Sequence, residues 1–297
     1  MSCVAFRSGF VTIWGRPNVG KSTFLNQVIG QKITIVSDKP QTTRKVIKGI
    51  LNLDGAQIVF LDTPGLHTPR DRLGEIMMRE IEDTLLDVDL LCYMTDPSFQ
   101  EEEEKKYLKK LSGFTKPVFL VLNKKDLLSE GEAEEILGRL GQYYPFAERF
   151  AISCETREGI DALIEKIVAY LPENPPYYEP GVVSDSFERD IVAEIIREKV
   201  WWNVHQEVPY GVEVRVEEFQ DRDALLYIRA IIYVEKDSHK KIVIGEGGRM
   251  IKKIGEEARK DVEAHWGKKA YLDLWVKVEK NWRKRDEVLR RFGYRVR

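Results

Sequence analysis

The sequence predicts an α/β protein in two parts: a mostly parallel, doubly wound sheet domain, then a smaller α+β domain. Three observations carry this. Up to about residue 170, short apolar runs alternate with stretches of helical periodicity. Four prolines then fall within the eleven residues from Leu171 to Gly181, which forbids a helix and favours extended, semi-rigid chain. Beyond them the pattern changes to a helix, two strands, two helical stretches around a glycine loop, and a last strand. The expected division is 1–172, a linker at 173–182, and 183–297.

The first part opens on an apolar run, Phe10-Val11-Thr12-Ile13-Trp14, followed by helical character over 22–29. Residues 46–53 alternate less cleanly and are expected to add an edge strand. Further apolar runs at 57–61, 117–122 and 150–152 read as buried strands, because a strand covered on both faces needs no polar alternation. Helices are expected over 73–86, 101–111, 130–140 and 159–170. A sheet of this kind binds ligands beyond the C-terminal ends of its strands, and the polar motifs of the chain fall there.

Gly15-Arg16-Pro17-Asn18-Val19-Gly20-Lys21-Ser22 follows the first strand and opens the first helix. It fits the phosphate-cradling pattern G-x-x-x-x-G-K-[ST] in the strand–loop–helix context the pattern requires. Gly15 and Gly20 let backbone N–H groups turn onto an anion, to which the helix N-terminus adds its dipole. Lys21 is expected to reach the β- and γ-phosphates and Ser22 to ligate Mg²⁺, with Asn18, Val19, Gly20 and Thr23 also against the nucleotide. Asp62-Thr63-Pro64-Gly65 closes a second strand; a carboxylate there suits Mg²⁺ indirectly, from behind the groups that touch the ion, and Gly65 can offer its N–H to the γ-phosphate. Asn123-Lys124-Lys125-Asp126 ends a third. The Asp126 carboxylate can accept both Watson–Crick-edge donors of guanine, whereas adenine presents an acceptor at that edge, and a mismatched base leaves buried polar groups unpaired. Ser153-Cys154-Glu155 occupies the place of a small loop backing the base, although it departs from the S-A-K pattern at two positions. Any one of these stretches alone could be a surface turn. All four in this order at strand ends point to GTP.

Composition bounds the remaining classes. The cysteines, Cys3, Cys92 and Cys154, are scattered without metal spacing, which suggests reduced thiols in a cytosol. No apolar run reaches membrane-spanning length, and the N-terminal one is too short for a signal core. His67, His205, His239 and His265 form no ligand cluster. The formal charge of −2 hides an asymmetry: residues 239–297 hold 18 Lys/Arg against 9 Asp/Glu, a net of +9, so the preceding 238 residues carry −11. One end is suited to a polyanion.

In the second part, apolar residues at 187, 191, 192, 195, 196 and 200 mark a helical face. Val212, Val214 and Val216 alternate with charged residues as a half-exposed strand, and 225–234 is a second. Gly245-Glu246-Gly247-Gly248 then joins two helical stretches, with Lys241, Arg249, Lys252 and Lys253 around it, and 271–278 makes a third strand. Helix–strand–strand–helix–GxxG–helix–strand is the plan of a type II KH domain, whose loop clamps single-stranded RNA. Lys241, Gly245, Glu246, Gly247, Gly248, Arg249, Lys252 and Lys253 are the expected RNA contacts. Glu246 is an oddity, since a neutral or basic residue would suit phosphate better. The tail from Trp282 to Arg291 reads as a capping basic helix rather than a second site.

GRPNVGKS, then QTTR at 41–44, DTPG, NKKD and VIGEGGRMIKKIGEEAR, in this order, resemble the Era family of bacterial ribosome-assembly GTPases over essentially the whole chain. The resemblance implies GTP binding and Mg²⁺-dependent hydrolysis to GDP, with Thr43 of the first switch closing on the Mg²⁺ held by Ser22 and Asp62; the adjacent Thr42 stays open as an alternative. It implies binding to the 3′ end of 16S rRNA, a role in assembly of the 30S subunit, a monomer in the cytoplasm, and peripheral contact with the inner membrane. Lys21, Thr43 and Asn18 are the expected catalytic residues. Where many small GTPases carry a water-orienting Gln after D-x-x-G, this chain has Leu66. Asn18 stands where potassium-dependent relatives bind K⁺ beside the phosphates, or it supports only the loop geometry. The competing reading is an RNA module with a static nucleotide; Lys21, Ser22, Thr43 and Asp62 together favour a hydrolytic switch.

Overall fold

The structure is a computed structural model that describes residues 5–36 and 42–296; Cys3 and Gln41 lie outside them. The chain forms two compact units with the main division in sequence at Asp185–Ser186; residues 34–36 and 69–76 group with the second unit.

In the first unit the elements run β1 (Arg7–Trp14), α1 (Lys21–Ile29), β2 (Ile47–Leu53), β3 (Ala56–Asp62), α2 (Arg72–Asp83), β4 (Leu90–Thr95), α3 (Glu101–Lys109), β5 (Val118–Leu122), α4 (Glu132–Leu140), β6 (Glu148–Ala151) and α5 (Ile160–Tyr170). The sheet order is β2-β3-β1-β4-β5-β6, parallel except for the β2–β3 hairpin. That hairpin turns on Asp54-Gly55, with Gly55 at φ 76° as a tight two-residue turn requires. Side-chain alternation divides two cores. Val11, Ile13, Cys92, Phe119 and Val121 face one side with Phe24 and Leu25 of α1 and Leu163 and Ile167 of α5. Trp14, Leu91, Tyr93, Val118 and Leu120 face the other with Ile81 of α2, Leu108 of α3 and Leu140 of α4. This two-sided burial is why β1, β4 and β5 read as unbroken apolar runs. β4 is a full central strand that the sequence reading did not single out. The strand order reverses beside β1, so the loop after β1 lies at the topological switch point.

The linker expected at 173–182 is corrected by the structure, which straps this segment along the first unit. Ser8 Oγ donates to the Pro175 carbonyl at 2.6 Å, and Gln57 Oε1 accepts from the N–H of Tyr177 and Tyr178 at 2.8 and 3.0 Å. The Ile50 N–H donates to the Val183 carbonyl at 2.9 Å, and Lys48 pairs with Asp185 at 2.7 Å. Extended Pro-rich chain has no hydrogen bonds of its own, and β1, β2 and β3 supply them. The boundary therefore lies after Asp185.

The second unit contains α6 (Glu188–Asn203), β7 (Glu213–Arg222), β8 (Leu225–Val234), α7 (Asp237–Ile244), α8 (Arg249–Trp266), β9 (Lys269–Val278) and α9 (Asp286–Arg291). β7 and β8 are antiparallel with a bulge between Val216 and Glu218, and β9 adds parallel to β8 as an edge strand. One sheet face, including Val214, Ile228, Ala230, Ile232 and Val276, is covered by Val192, Ile196 and Val200 of α6 and Ile254, Ala258 and Val262 of α8. The tail is part of the fold: Trp282 is fully buried, donates Nε1–H to the Gly211 carbonyl at 2.9 Å, and packs edge-on against Phe292.

Trp282→Ala should therefore destabilise the second unit by about 3–5 kcal/mol, the usual cost of emptying a buried aromatic site. Denaturant unfolding followed by circular dichroism checks this, and a loss under about 1 kcal/mol would make the tail an appendage.

Candidate nucleotide site and candidate RNA interface

The loops after β1, β3, β5 and β6 converge. Gly15 has φ 153°, and a Cβ there would stand 2.0 Å from the Met94 carbonyl oxygen. Gly20 has φ 102°, and a Cβ on it would stand 2.1 Å from Asn123 Nδ2. Only glycine lets the first loop lie this close to its neighbours. The Asn123 carboxamide uses both ends: Nδ2 donates to the Val19 carbonyl at 2.9 Å and Oδ1 accepts from the Cys154 N–H at 3.0 Å. One side chain thereby joins three motifs. Gly65 lies so close to Pro17 that a Cβ would come within 2.7 Å, and the Leu66 N–H donates to the Gly15 carbonyl at 3.0 Å, which ties the fourth motif to the first.

Lys21 is buried, its ammonium donating to the carbonyls of Gly15 at 3.1 Å and Arg16 at 2.7 Å. Burial lowers its pKa to about 8 against the opposing pull of Asp62. The group is thus a desolvated cation at the mouth of an anion cradle. Ser22 Oγ donates to Asp62 Oδ2 at 2.7 Å and lies 3.0 Å from Thr43 Oγ1. Of the two adjacent threonines, Thr43 presents its hydroxyl to Ser22. Two hydroxyls and one carboxylate close together offer the oxygen donors that Mg²⁺ prefers. The residues fit the ion. Asn18 holds left-handed backbone at φ 65°, which Asn tolerates better than most residues. Thr23 follows in the first turn of α1.

Asp126 is exposed at the start of a short 3-10 turn and accepts a hydrogen bond from Ser153 Oγ, which also accepts from the Thr156 N–H at 3.1 Å. The Ser153-Cys154-Glu155 loop is thus held against the Asp126 carboxylate despite its departure from the usual residues. Cys154 is buried, and burial pushes its thiol up to about 12, so it serves as a small neutral wall. Leu66 is buried among Trp14, Tyr93, Tyr107 and Leu108. Its side chain belongs to the core and contributes nothing to a water at the γ-phosphate.

A polar cluster that the sequence reading missed lies beneath these loops. Asp96 accepts from Arg16 of the first loop at 2.9 Å and from Lys124 of the base motif at 2.6 Å. Burial pushes its carboxyl up, but the hydrogen bonds from Lys124 and Ser98 outweigh this and hold it below the usual range. Glu104 of α3, also buried, accepts from Arg16 Nε at 2.7 Å and Thr95 Oγ1 at 2.9 Å, and from the Tyr93 hydroxyl. The available signal was Asp96 itself, a carboxylate closing an apolar run as Asp62 does.

In the second unit Gly245, Gly247 and Gly248 take φ of 71°, 60° and 80° between α7 and α8. The Gly245 N–H donates to the Lys241 carbonyl at 2.8 Å, and a Cβ on Gly245 would press on Met250 at 2.7 Å, whereas Gly247 and Gly248 face open space. The loop is therefore stiff at one end and approachable at the other. Lys241, Arg249, Lys252 and Lys253 are exposed around it. Glu246 is answered by Arg249, with which it forms an ion pair within one turn.

Gly20→Ala should weaken GTP and GDP binding alike by at least tenfold, since left-handed strain of roughly 1–3 kcal/mol adds to displacement of Asn123. Titration with a fluorescent GDP analogue checks it; near-normal affinity would sever the link between the two loops.

Comparison with known proteins agrees with this geometry. A family model for 50S ribosome-binding GTPases matches residues 10–124, and a KH-domain model matches 207–283. GTPase Era of Caldanaerobacter subterraneus subsp. tengcongensis is 46% identical, over 99% of each chain. GTPase Era of Caldicellulosiruptor saccharolyticus is 47% identical, also over 99% of each. Two crystal structures superpose with a TM-score of 0.93 at 36% identity, covering 98% of this chain and 100% of theirs. One is an Aquifex aeolicus Era variant bound to GDP·AlF4⁻; the other is Era with MgGDPNP and nucleotides 1506–1542 of 16S ribosomal RNA. Motif order, loop geometry and near-complete coverage of both units lead to one conclusion: the chain belongs to the Era family of GTPases.

Proposed function

We propose that this GTPase is a Mg²⁺-dependent switch that binds the 3′ end of 16S rRNA through its KH unit and assists assembly of the 30S subunit. The observation that carries the switch reading is the cluster of Ser22, Thr43 and Asp62 hydroxyl and carboxylate oxygens beside the buried Lys21 ammonium. A static nucleotide site has no use for a first-switch threonine placed against the metal ligands. In this reading the N–H groups of Gly15 to Thr23, with Val19 and Gly20 among them, cradle the phosphates. Lys21 neutralises the β- and γ-phosphates. Ser22, Thr43 and Asp62 hold Mg²⁺, which draws charge from the β- and γ-oxygens when bound. Gly65 meets the γ-phosphate. Asp126 reads guanine, Asn123 and Lys124 hold the base loop to the phosphate loop, and Ser153 and Cys154 back the base.

The RNA contacts are assigned to Lys241, Gly245, Glu246, Gly247, Gly248, Arg249, Lys252 and Lys253. The glycines allow backbone to approach sugar-phosphate and the cations supply attraction. The same reading takes the protein as a cytoplasmic monomer with a peripheral contact to the inner membrane; no helix among the described residues is long and apolar enough to cross one.

Because Leu66 is committed to the core, hydrolysis without a partner should be slow. We assign to Asn18 a K⁺ beside the phosphates. Its left-handed backbone offers a second account of why Asn stands there, and Asn18→Gly separates the two by keeping φ while removing the carboxamide. Phosphate release should be faster in K⁺ than in Na⁺ for the wild type and equal in both salts for Asn18→Gly. Equal wild-type rates would retire the cation.

Asp126→Asn should cut GTP affinity by roughly a hundredfold or more and partly restore binding with xanthosine triphosphate, which carries an oxygen where guanine carries its amine. Undiminished GTP affinity would refute the guanine assignment. RNA affinity should also differ between the GTP-analogue and GDP states by a coupling of roughly 1–3 kcal/mol, with RNA altering GTP-analogue affinity, relative to GDP, by the same factor. Identical affinities in the two states would leave two tethered modules and no switch.

A further inference from the structure

The sheet of the KH unit has a second face. Opposite the helices, the paired residues Gln220–Tyr227, Glu218–Arg229, Tyr227–Tyr271, Arg229–Asp273 and Ile231–Trp275 share one side. The end of this face nearest Tyr233 is closed by the tail: Phe292 packs on Tyr233 at 4.8 Å between ring centroids, and Arg215 donates to the Phe292 carbonyl at 3.1 Å. The other end is open. Tyr271 and Trp275 are 56% and 57% exposed there, large values for side chains that a folded chain usually hides.

These rings are held in place. Tyr227 and Tyr271 lie parallel across the two strands, 5.8 Å between centroids and 12° between planes. Arg229 donates to the Tyr227 hydroxyl and to Asp273, each at 2.8 Å, and the other oxygen of Asp273 accepts from Trp275 Nε1 at 2.9 Å. Arg222 lies over the Tyr227 ring at 5.2 Å. Glu218 and Asp273 within the patch are both engaged by Arg229, while Glu217 stands exposed nearer Tyr233. What the face offers a partner is therefore pre-oriented π-surface rimmed by the exposed cations Arg222, Lys269 and Lys277.

We propose that this face is a stacking platform for unpaired RNA bases, continuing the path of the strand held at the Gly245–Gly248 loop. The inference rests on the RNA reading of that loop. Flat sheets with exposed aromatics and arginines bind single strands because every base has a π-face, and the rim charges fit a polyanion. Continuity supports the same occupant. β9 is an edge strand; α7 and α8, which flank the glycine loop, pack against it on one side, and its outward residues Tyr271 and Trp275 belong to the platform. Strand geometry sets Tyr271 and Trp275 about 13 Å apart along β9. A KH loop clamps about four nucleotides, whereas the related Era was crystallised with nucleotides 1506–1542 of 16S rRNA. An RNA of that length has bases to spare for a second surface.

The test uses the full chain, two RNAs and two variants. The RNAs are 16S nucleotides 1506–1542 and a 3′-terminal oligonucleotide of about six nucleotides, near what the loop alone can clamp. Tyr271→Ala/Trp275→Ala removes only exposed rings, and circular dichroism verifies that it folds. It should weaken the long RNA on the order of tenfold or more, leave the short one unchanged, and keep the salt slope of wild type, since stacking releases no counterions. Gly248→Asp should weaken both RNAs. Wild-type affinity of the double variant for the long RNA overturns the platform and leaves the face to a protein partner. Equal weakening of both RNAs overturns it as well, because the rings would then act through the loop. Failure of wild type to bind either RNA overturns the loop reading itself, a separate outcome.

Discussion

The Asn123 side chain is the joint on which the nucleotide site depends. Its amide nitrogen holds the phosphate loop at Val19 and its amide oxygen holds the base-backing loop at Cys154, while its own backbone ends β5. A carboxamide donates and accepts at fixed positions on a single plane without carrying charge. Gly20 is what allows the approach, because a Cβ would occupy the place of the amide nitrogen. Phosphate recognition and base recognition are therefore one structure. Asp96 repeats the connection below it, binding Arg16 of one loop and Lys124 of the other. A buried carboxylate is tolerable there because three donors meet it: Arg16, Lys124 and Ser98.

That rigidity contrasts with the metal side of the site. Ser22, Thr43 and Asp62 come from three separate segments, and only Ser22 and Asp62 sit at the ends of regular elements. Thr43 reaches them from a stretch without helix or strand. Its hydroxyl is thus the member of the set whose position can depend on the ligand, as a switch needs. Leu66 lies on the other side of the question. By burying its side chain it fixes the loop after β3 through packing, together with its N–H on Gly15. The chain gains an anchored loop at the position where other GTPases place a catalytic amide.

Most of this was legible in the sequence. The phosphate, metal and base motifs carry their chemistry in residue type and spacing, and each fell at a strand end as its chemistry requires. What was not legible has physical reasons. β4, Leu90–Thr95, carries a cysteine, a tyrosine, a methionine and a threonine and has no motif glycine after it, so its apolar run did not announce a site. Asp96 acts on Arg16 and Lys124 across 80 and 28 residues of chain, which no local pattern records. The stiffness of the Pro-rich stretch alone suggests a spacer, but its unmet backbone groups are satisfied by Ser8, Gln57 and Ile50. Glu246 is out of place in an anion-binding loop by residue type alone, but Arg249, one turn later, pairs with it. For Asp96, the Pro-rich stretch and Glu246, a partner elsewhere in the structure supplies what the local pattern does not show.

The charge asymmetry gains meaning from this arrangement. Residues 1–238 carry a net −11 and residues 239–297 a net +9, so a polyanion is drawn to the C-terminal stretch and repelled by most of the rest, except where Lys21 and the loop N–H groups focus on phosphate. Within that basic stretch, part of the charge is already spent: Arg285 and Arg291 meet Glu279, and Arg249 meets Glu246. Lys252 and Lys241 beside the glycine loop, and Lys277 on the edge strand, stand exposed. In the proposed RNA reading, long-range attraction brings the strand to the unit but is too diffuse to choose a register. Register has to come from short-range features, namely the left-handed glycines that admit sugar-phosphate and the fixed rings of Tyr227, Tyr271 and Trp275 that can receive bases.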